Sequence, residues 1–158
     1  MKESLRTGIS FGLTSGVITT LGLMVGLNSG THSKPVVLGG ILTIAIADAF
    51  SDAIGIHISE ESRQGQSEKH VWIATLSTFL SKFLFALTFV VPVLLFELYT
   101  AILVSVAWGF SVLAALSYKI AASQGAKPWK VVAEHLFIAL VVITITHFVG
   151  DWIGMVCK

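Results

Sequence analysis

Two aspartates inside an apolar stretch are the residues of this sequence best placed to do chemistry. Asp48 and Asp52 lie in AIADAFSDAIGIHISEES, residues 45–62, four positions apart, so a helix would carry both on one face, one turn apart. A carboxylate at the centre of a membrane helix costs about 2.5–3.5 kcal/mol on insertion scales, and two neighbouring carboxylates repel each other when ionised. A bound divalent cation, or a proton shared between them, removes that repulsion.

The face that carries both aspartates continues into an acidic turn. Gly55 follows Asp52 at helical spacing, and Glu60 and Glu61 end the segment. The pattern predicts a polar track that leads from the membrane surface to the aspartates. We expect Asp48, Asp52, Glu60 and Glu61 to bind a metal cation that moves along it.

An internal salt bridge is the alternative interpretation of the aspartates. Lys82 lies in a later apolar stretch at a depth comparable with that of Asp48, which makes it the obvious counter-ion. We expect one lysine to neutralise only one of the two carboxylates. Both interpretations therefore remain open at this point.

The composition indicates an integral membrane protein. Of 158 residues, 54% are hydrophobic and 12% are charged, whereas soluble domains carry about 25% charged residues. The net charge of +1 comes without a basic patch, which argues against a nucleic-acid partner. A single cysteine, Cys157, excludes an intramolecular disulfide.

Five stretches are long enough to cross a bilayer as helices, for which about 20 apolar residues are needed. Their apolar residues do not alternate with period two, so a barrel is not indicated. We predict an all-α, polytopic membrane protein with one domain and five transmembrane helices. The predicted spans are residues 8–27, 36–58, 71–96, 98–118 and 131–156. Pro92 and Glu97 are expected to mark a tight hairpin between the third and fourth spans.

Lys and Arg are distributed unequally between the two sides of the predicted bundle. Seven lie on the side of the N-terminus, and two, Lys34 and Lys158, lie on the other side. The positive-inside bias therefore predicts a cytoplasmic N-terminus and an external C-terminus. We expect the protein in the plasma membrane of a prokaryotic cell.

Small residues in the first span predict close helix packing. Gly12, Gly16 and Gly22 belong to GxxxG steps, which let helices approach closely, and we expect them to face a second subunit across a two-fold axis. In the fifth span, His147 and Asp151 are four residues apart. Such a pair relays protons or binds metal, or else serves only as a structural pair near the membrane surface.

The first two spans resemble the vacuolar iron transporter family. SGVITTLGLMVGL (residues 15–27) is similar to the family's first helix, and AIADAFSDAIGIHISEES to its second, with Ser51 and Gly55 among the matching positions. The resemblance implies a homodimer that exchanges divalent metal for protons, with its ion path between the subunits. The expected path residues are Ser15, Thr19, Met24, Ser51 and Gly55.

The sequence departs from the family pattern at its metal ligands. The family's first-helix aspartate falls on Ser15, its second-helix methionine on Asp52 and its second-helix glutamate on Ile56, while Asp48 is an addition. The long metal-binding insert after the second helix is missing. Oxygen ligands suit Fe²⁺ and Mn²⁺, and also Mg²⁺ or Ca²⁺.

We therefore expect a homodimeric, proton-coupled exporter of divalent cations, Fe²⁺ or Mn²⁺, with metal and protons as substrates and no resident cofactor. Three alternatives remain. The first is a carrier of another cation, or a proton-coupled carrier without a transition-metal role. The second is a structural or assembly protein in which Asp48 and Asp52 pair with Lys82. The third is a membrane enzyme using the aspartates, His57 or His147. Because no nucleophile motif or HExxH-type spacing is present, we expect no enzymatic activity.

Overall fold

Helices form almost all of the protein. The computed structural model describes residues 2–157, and within that range it contains six helices and no strand. The helices are α1 (Lys2–Thr31), α2 (Lys34–Glu61), α3 (Glu68–Thr88), α4 (Val90–Leu95), α5 (Leu98–Ser123) and α6 (Pro128–Val156). The predicted all-α class is confirmed.

Five segments are long and apolar enough to cross a bilayer. They are Glu3–Thr31, Lys34–Glu61, Glu68–Leu95, Leu98–Ser123 and Pro128–Val156. Each predicted span lies inside one of them to within one residue, so the five predicted stretches are helical, and their insertion into a membrane stays a prediction. We call the side where α1 begins and α2 ends the N-terminal side of the bundle.

The third crossing is divided between two helices. α3 ends at Thr88, and α4 begins at Val90 with Pro92 as its third residue. Since proline has no N–H group, it cannot continue the hydrogen-bond ladder of α3. Pro92 is buried inside α4, so its predicted place in a hairpin is wrong. The turn falls instead at Phe96 and Glu97, and Glu97 caps the start of α5.

α1 lies at the centre of the bundle. It contacts α2, α3, α5 and α6, and Val17, Leu21 and Met24 on it are fully buried. These side chains form one apolar core with residues of the surrounding helices. Other members of that core are Ile41, Phe85, Phe89, Val93, Ile102, Leu113 and Ala139.

The glycines of α1 pack against helices of the same chain. A Cβ atom at Gly12 would lie 2.6 Å from the carbonyl oxygen of Thr78 in α3, and one at Gly26 would lie 3.2 Å from that of Thr146 in α6. The predicted close packing is confirmed. The predicted second subunit at these positions is wrong, because α3 fills the space beside Gly12, the Lys82 side chain lies beside Gly16, and α6 lies beside Gly22.

Candidate functional site

Three helices bring four polar side chains together near the middle of the bundle. α1 supplies Ser15, α2 supplies Asp48 and Asp52, and α3 supplies Lys82. Ser15, Asp48 and Lys82 lie about halfway along their long apolar segments, and Asp52 lies one turn closer to the end of α2. With a rise of about 1.5 Å per residue, the first three are about 20 Å from the nearer end of their segments, and Asp52 is about 14 Å from it. The side chains therefore meet near the level at which the bilayer is most apolar.

The ammonium group of Lys82 lies between the two carboxylates. Its Nζ is 2.5 Å from Oδ2 of Asp48 and 2.5 Å from Oδ2 of Asp52. It also donates to Oγ of Ser15 over 2.9 Å. The Lys82 side chain is only 2% exposed. We refer to Asp48, Lys82 and Asp52 as the Asp–Lys–Asp cluster.

The two aspartates are not equivalent. Asp52 accepts a hydrogen bond from Lys82, whereas Oδ2 of Asp48 is shielded and has no hydrogen-bond partner, although Nζ is as close to it. The Lys82–Asp48 contact is therefore an ion pair without hydrogen-bond geometry. The Asp48 side chain is 25% exposed, against 18% for Asp52. Of the two aspartates, Asp48 therefore has the weaker contact with Lys82 and the more exposed side chain.

A groove on the surface of the bundle leads to Asp48. It runs between α1 and α2, has a volume of about 680 Å³ and extends from Val36 to Asp48 and Ser51. Most of the groove wall is apolar, with Leu23, Leu27 and Ile44 among its residues. Val36 lies near the start of α2, on the side opposite the N-terminal side. The groove thus connects the cluster with that half of the molecule.

The cluster carries a formal charge of −1, because two carboxylates face one ammonium group. Buried ions are costly unless they are paired and hydrogen-bonded. Each member therefore depends on the others, and within residues 2–157 the polar contacts of Nζ come from Ser15 and the two aspartates. One ammonium group neutralises the formal charge of one aspartate, as expected, and Nζ lies against both carboxylates.

Two of the five expected path residues lie at or beside the cluster. Ser15 accepts from Lys82, and Thr19 donates to the backbone oxygen of Ser15 over 2.9 Å. Thr19 also lines a second apolar groove of about 730 Å³ between α1, α2 and α6. These two positions agree with a path along α1.

The structure places the other three expected path residues differently. Met24 is fully buried in the apolar core and reaches neither groove. Ser51 is exposed on α2 and borders the groove that contains Asp48. Gly55 is exposed and has no atom within 4 Å of a Cβ placed on it. Met24 and Gly55 therefore do not line an interior path in a single chain.

The two glutamates at the end of α2 do not join the aspartates. Glu60 is 2% exposed, and its carboxylate lies 3.1 Å from Arg63 and 3.2 Å from His70. Eight residues separate it from Asp52, about 12 Å along the helix. Arg63 and His70 lie against its two oxygens, and the predicted part of Glu60 in cation binding stays a prediction.

Glu61 points away from Glu60 towards another pocket. It is exposed and, with His57 and Glu68, lines a cavity of about 220 Å³. Within residues 2–157, no three His, Cys, Asp or Glu side chains are arranged to hold a metal ion. In a single chain, Glu60 and Glu61 therefore do not join Asp48 and Asp52 around one ion.

The polar contacts of α3 on the N-terminal side of the cluster were not among the predicted site residues. Nδ1 of His57 lies 3.0 Å from Oγ1 of Thr75, and Thr75 donates to a backbone oxygen of its own helix. Thr75, Thr78 and Lys82 follow each other at spacings of three and four. That spacing marks one face of a helix, so the polar face of α3 was detectable in the sequence.

The predicted pair in α6 is present and has a third partner. Nε2 of His147 lies 3.4 Å from Oδ2 of Asp151, and Nδ1 of His147 is hydrogen-bonded to Ser29 of α1. The His147 and Asp151 side chains are 49% and 43% exposed. The contact is confirmed, whereas a role in proton transfer remains a prediction.

No protein-family model matches this chain, and no curated protein matches it at a significant level. The resemblance to the vacuolar iron transporter family therefore rests on the motifs of the first two helices.

Proposed function

We propose that this protein carries cations across a membrane in exchange for protons, and that the cation competes with the Lys82 ammonium group for Asp48 and Asp52. The position of Nζ, 2.5 Å from both carboxylates near the middle of the bundle, is the observation that supports it. The ammonium group marks a place where the fold favours a positive charge.

The oxygens around Nζ are suitable ligands for a small cation. Two carboxylates and the Ser15 hydroxyl converge on it, and hard or borderline divalent ions accept such a ligand set. The resemblance to the vacuolar iron transporter family favours Fe²⁺ or Mn²⁺ as the cargo. The excess of Lys and Arg on the N-terminal side favours a cytoplasmic position for that side, and we propose export from the cytoplasm.

The charge of the cluster favours a second candidate cargo. One added positive charge brings the formal charge from −1 to zero, whereas a divalent ion brings it to +1 if Lys82 stays in place. Since uncompensated charge is costly in an apolar environment, this count favours a monovalent cation. Carriage of a divalent ion requires that the ammonium group leave the cluster.

We propose that two copies pair through α2 rather than α1. Gly39, Thr43, Ala47, Ser51 and Gly55 follow each other at intervals of four and are all exposed. Small residues in such a row allow close approach of a second helix within a membrane. The row borders the Asp48 groove, so a second copy placed there would cover carboxylates that lipid solvates poorly.

Flux measurements on purified protein in liposomes test the proposal. We expect Mn²⁺ or Fe²⁺ uptake accompanied by movement of protons in the opposite direction. We expect both movements to be lost in the Asp48→Asn/Asp52→Asn double variant. Glu134→Gln, which changes an exposed carboxylate of α6 outside the cluster, is the matched control and should transport normally. Unchanged flux in the double variant would remove the cluster from the transport mechanism.

Parallel measurements with Na⁺ and K⁺ separate the two candidate cargoes. Proton movement driven by either ion, without Mn²⁺ or Fe²⁺ flux, would establish the monovalent carrier. Flux of none of these ions would leave the cluster as a structural ion pair.

A further inference from the structure

A second polar network joins the same three helices on the N-terminal side. His70 of α3 lies 2.9 Å from Oγ of Ser4 through Nδ1, and 3.2 Å from Oε2 of Glu60 through Nε2. The second oxygen of Glu60 lies 3.1 Å from Arg63. The network therefore links α1, α2 and α3 at one end of their shared interface.

The interior position of this network is unusual for residues near a helix end. Ser4 is fully buried and the Glu60 side chain is only 3% exposed. One ring nitrogen of His70 is hydrogen-bonded to the Ser4 hydroxyl, and the other ring nitrogen faces Oε2 of Glu60 within ion-pair distance. The network closes the interface between the three helices with polar contacts rather than with apolar side chains.

The contact between His70 and Glu60 is of a kind that breaks at low cost. Oε2 of Glu60 has no aligned hydrogen bond, although the His70 ring is within ion-pair distance. A buried ion pair is often no more stable than apolar packing of the same volume. Ser4, Glu60 and His70 therefore hold the helices together at a lower cost of opening than a packed core would impose.

The network stands between the N-terminal side and the Asp–Lys–Asp cluster. From Glu60 to Asp52 is about 12 Å along α2, and the His57–Thr75 contact and the buried Thr78 lie at intermediate levels. On the opposite side, the groove between α1 and α2 reaches Asp48. In the single chain, the cluster thus borders a surface groove at Asp48 on one half of the bundle and is covered by packed helices on the other.

We propose that Ser4, Glu60 and His70 form a gate that closes the N-terminal half of the cation path. The gate opens when α2 moves away from α1 and α3 at this end, which exposes Thr75, Thr78 and then the cluster. The path that it closes rests on the proposed function, but the closure itself is a property of the three-helix interface.

Thiol accessibility tests the gate without any transport measurement. Cys157→Ser removes the only cysteine, and Thr78→Cys then places one thiol at a fully buried position one turn below Lys82. Vesicles that expose the N-terminal side are treated with a membrane-impermeant thiol reagent. We expect labelling to be about tenfold faster after Glu60→Gln or His70→Phe, because either change leaves a buried partner unsatisfied.

Two controls make the result specific. Glu61→Gln changes the exposed neighbour of Glu60 and should leave the labelling rate of Thr78→Cys unaltered. A Leu113→Cys reporter, fully buried in α5, should stay unlabelled in every variant, which shows that the bundle remains folded. Equal labelling of Thr78→Cys with and without the gate changes would overturn the proposal, as would an equal increase at Leu113→Cys or with Glu61→Gln.

The two proposals can fail separately. If the protein moves no cation but the gate variants speed the labelling of Thr78→Cys, the proposed function is contradicted and the gate is supported. If the protein moves cations and the gate variants are labelled at the same rate as the parent, only the gate is contradicted.

Discussion

Lys82 is the residue on which the candidate site depends. Its ammonium group is buried, and its polar contacts come from Ser15 on α1 and from Asp48 and Asp52 on α2. Three helices are therefore held together at the level of the membrane where polar groups are least tolerated. The contact of Lys82 with the two aspartates stabilises the bundle and also occupies the proposed cation site. Mutations of the cluster should therefore affect stability and transport to different extents.

Asp52→Asn is expected to abolish transport while the protein stays folded. The amide keeps the shape of the carboxylate, and Asp48 remains as a charged partner for Lys82, so the cluster becomes formally neutral. We expect the free energy of unfolding to change by about 1 kcal/mol or less, and cation binding to fall steeply. Thermal melting in detergent and liposome flux on one preparation measure both. A large loss of stability with unchanged flux would instead support a purely structural cluster.

Lys82→Met is expected to lower the stability of the protein strongly, in contrast to Asp52→Asn. Removing the ammonium group leaves two buried carboxylates facing each other, and breaking a buried ion pair from one side costs about 3–5 kcal/mol. An added divalent cation should replace the missing charge. We therefore expect a markedly lower melting temperature that Mn²⁺ restores more strongly than it stabilises the parent protein. A variant that melts like the parent, with or without Mn²⁺, would contradict this arrangement.

The sequence predicts part of the cluster and none of the gate. Asp48 and Asp52 share a face because of their spacing, and Lys82 lies at a matching depth, so both interpretations of the aspartates were available. Glu60 looked like a free acidic residue since the sequence does not show which side chains of α1 and α3 meet it. Contacts such as Ser4 with His70, 66 residues apart, depend on how whole helices pack.

At the scale of helices, glycine positions divide into two classes. Neighbouring helices of the same chain occupy the space beside the glycines of α1, whereas Gly39 and Gly55 of α2 face open space. The GxxxG steps of α1 predict close packing, but such a pattern does not identify the partner helix. The assignment of the α1 glycines to a subunit interface failed for this reason.

Gly12→Leu is expected to disrupt the fold of the single chain. Even a Cβ atom at this position would lie 2.6 Å from a backbone oxygen and 3.2 Å from the backbone nitrogen of Lys82, so α1 and α3 would have to separate. Forced overpacking typically costs about 1–3 kcal/mol, and here the separation also pulls Ser15 from Lys82. A reduced yield of folded monomer and a lower melting temperature are expected. Normal melting would show that α1 and α3 do not pack this closely.

Gly55→Leu is expected to leave the single chain folded and to weaken the dimer. Nothing lies within 4 Å of the added Cβ, so the melting temperature should stay close to that of the parent. A bulky side chain in the small-residue row of α2 should prevent close approach of a second copy. Energy transfer between labelled chains in liposomes measures the association. Unchanged association in this variant would place the interface on another surface.

At the scale of the whole molecule, the five membrane-crossing segments determine where the ends of the chain lie. Five crossings would place the start of α1 and the end of α6 on opposite sides of a bilayer, so we expect the proposed gate and the groove at Asp48 to face different compartments. The direction of the proposed transport depends on which compartment is the cytoplasm. Helix packing leaves that choice open, because the bundle would be equally stable either way up.

The distribution of Lys and Arg makes that choice, and it gives the last prediction. Seven of these residues lie on the N-terminal side and two on the other, so from the positive-inside bias we expect the proposed gate to face the cytoplasm. A reporter that is active only in the cytoplasm should give no signal when fused after Lys158, which lies outside the described residues. The same reporter inserted at Gly65, in the turn between α2 and α3, should be active. A strong signal from the Lys158 fusion, with none from the Gly65 insertion, would invert the molecule. The groove that reaches Asp48 would then open towards the cytoplasm, and the gate would control release instead of loading.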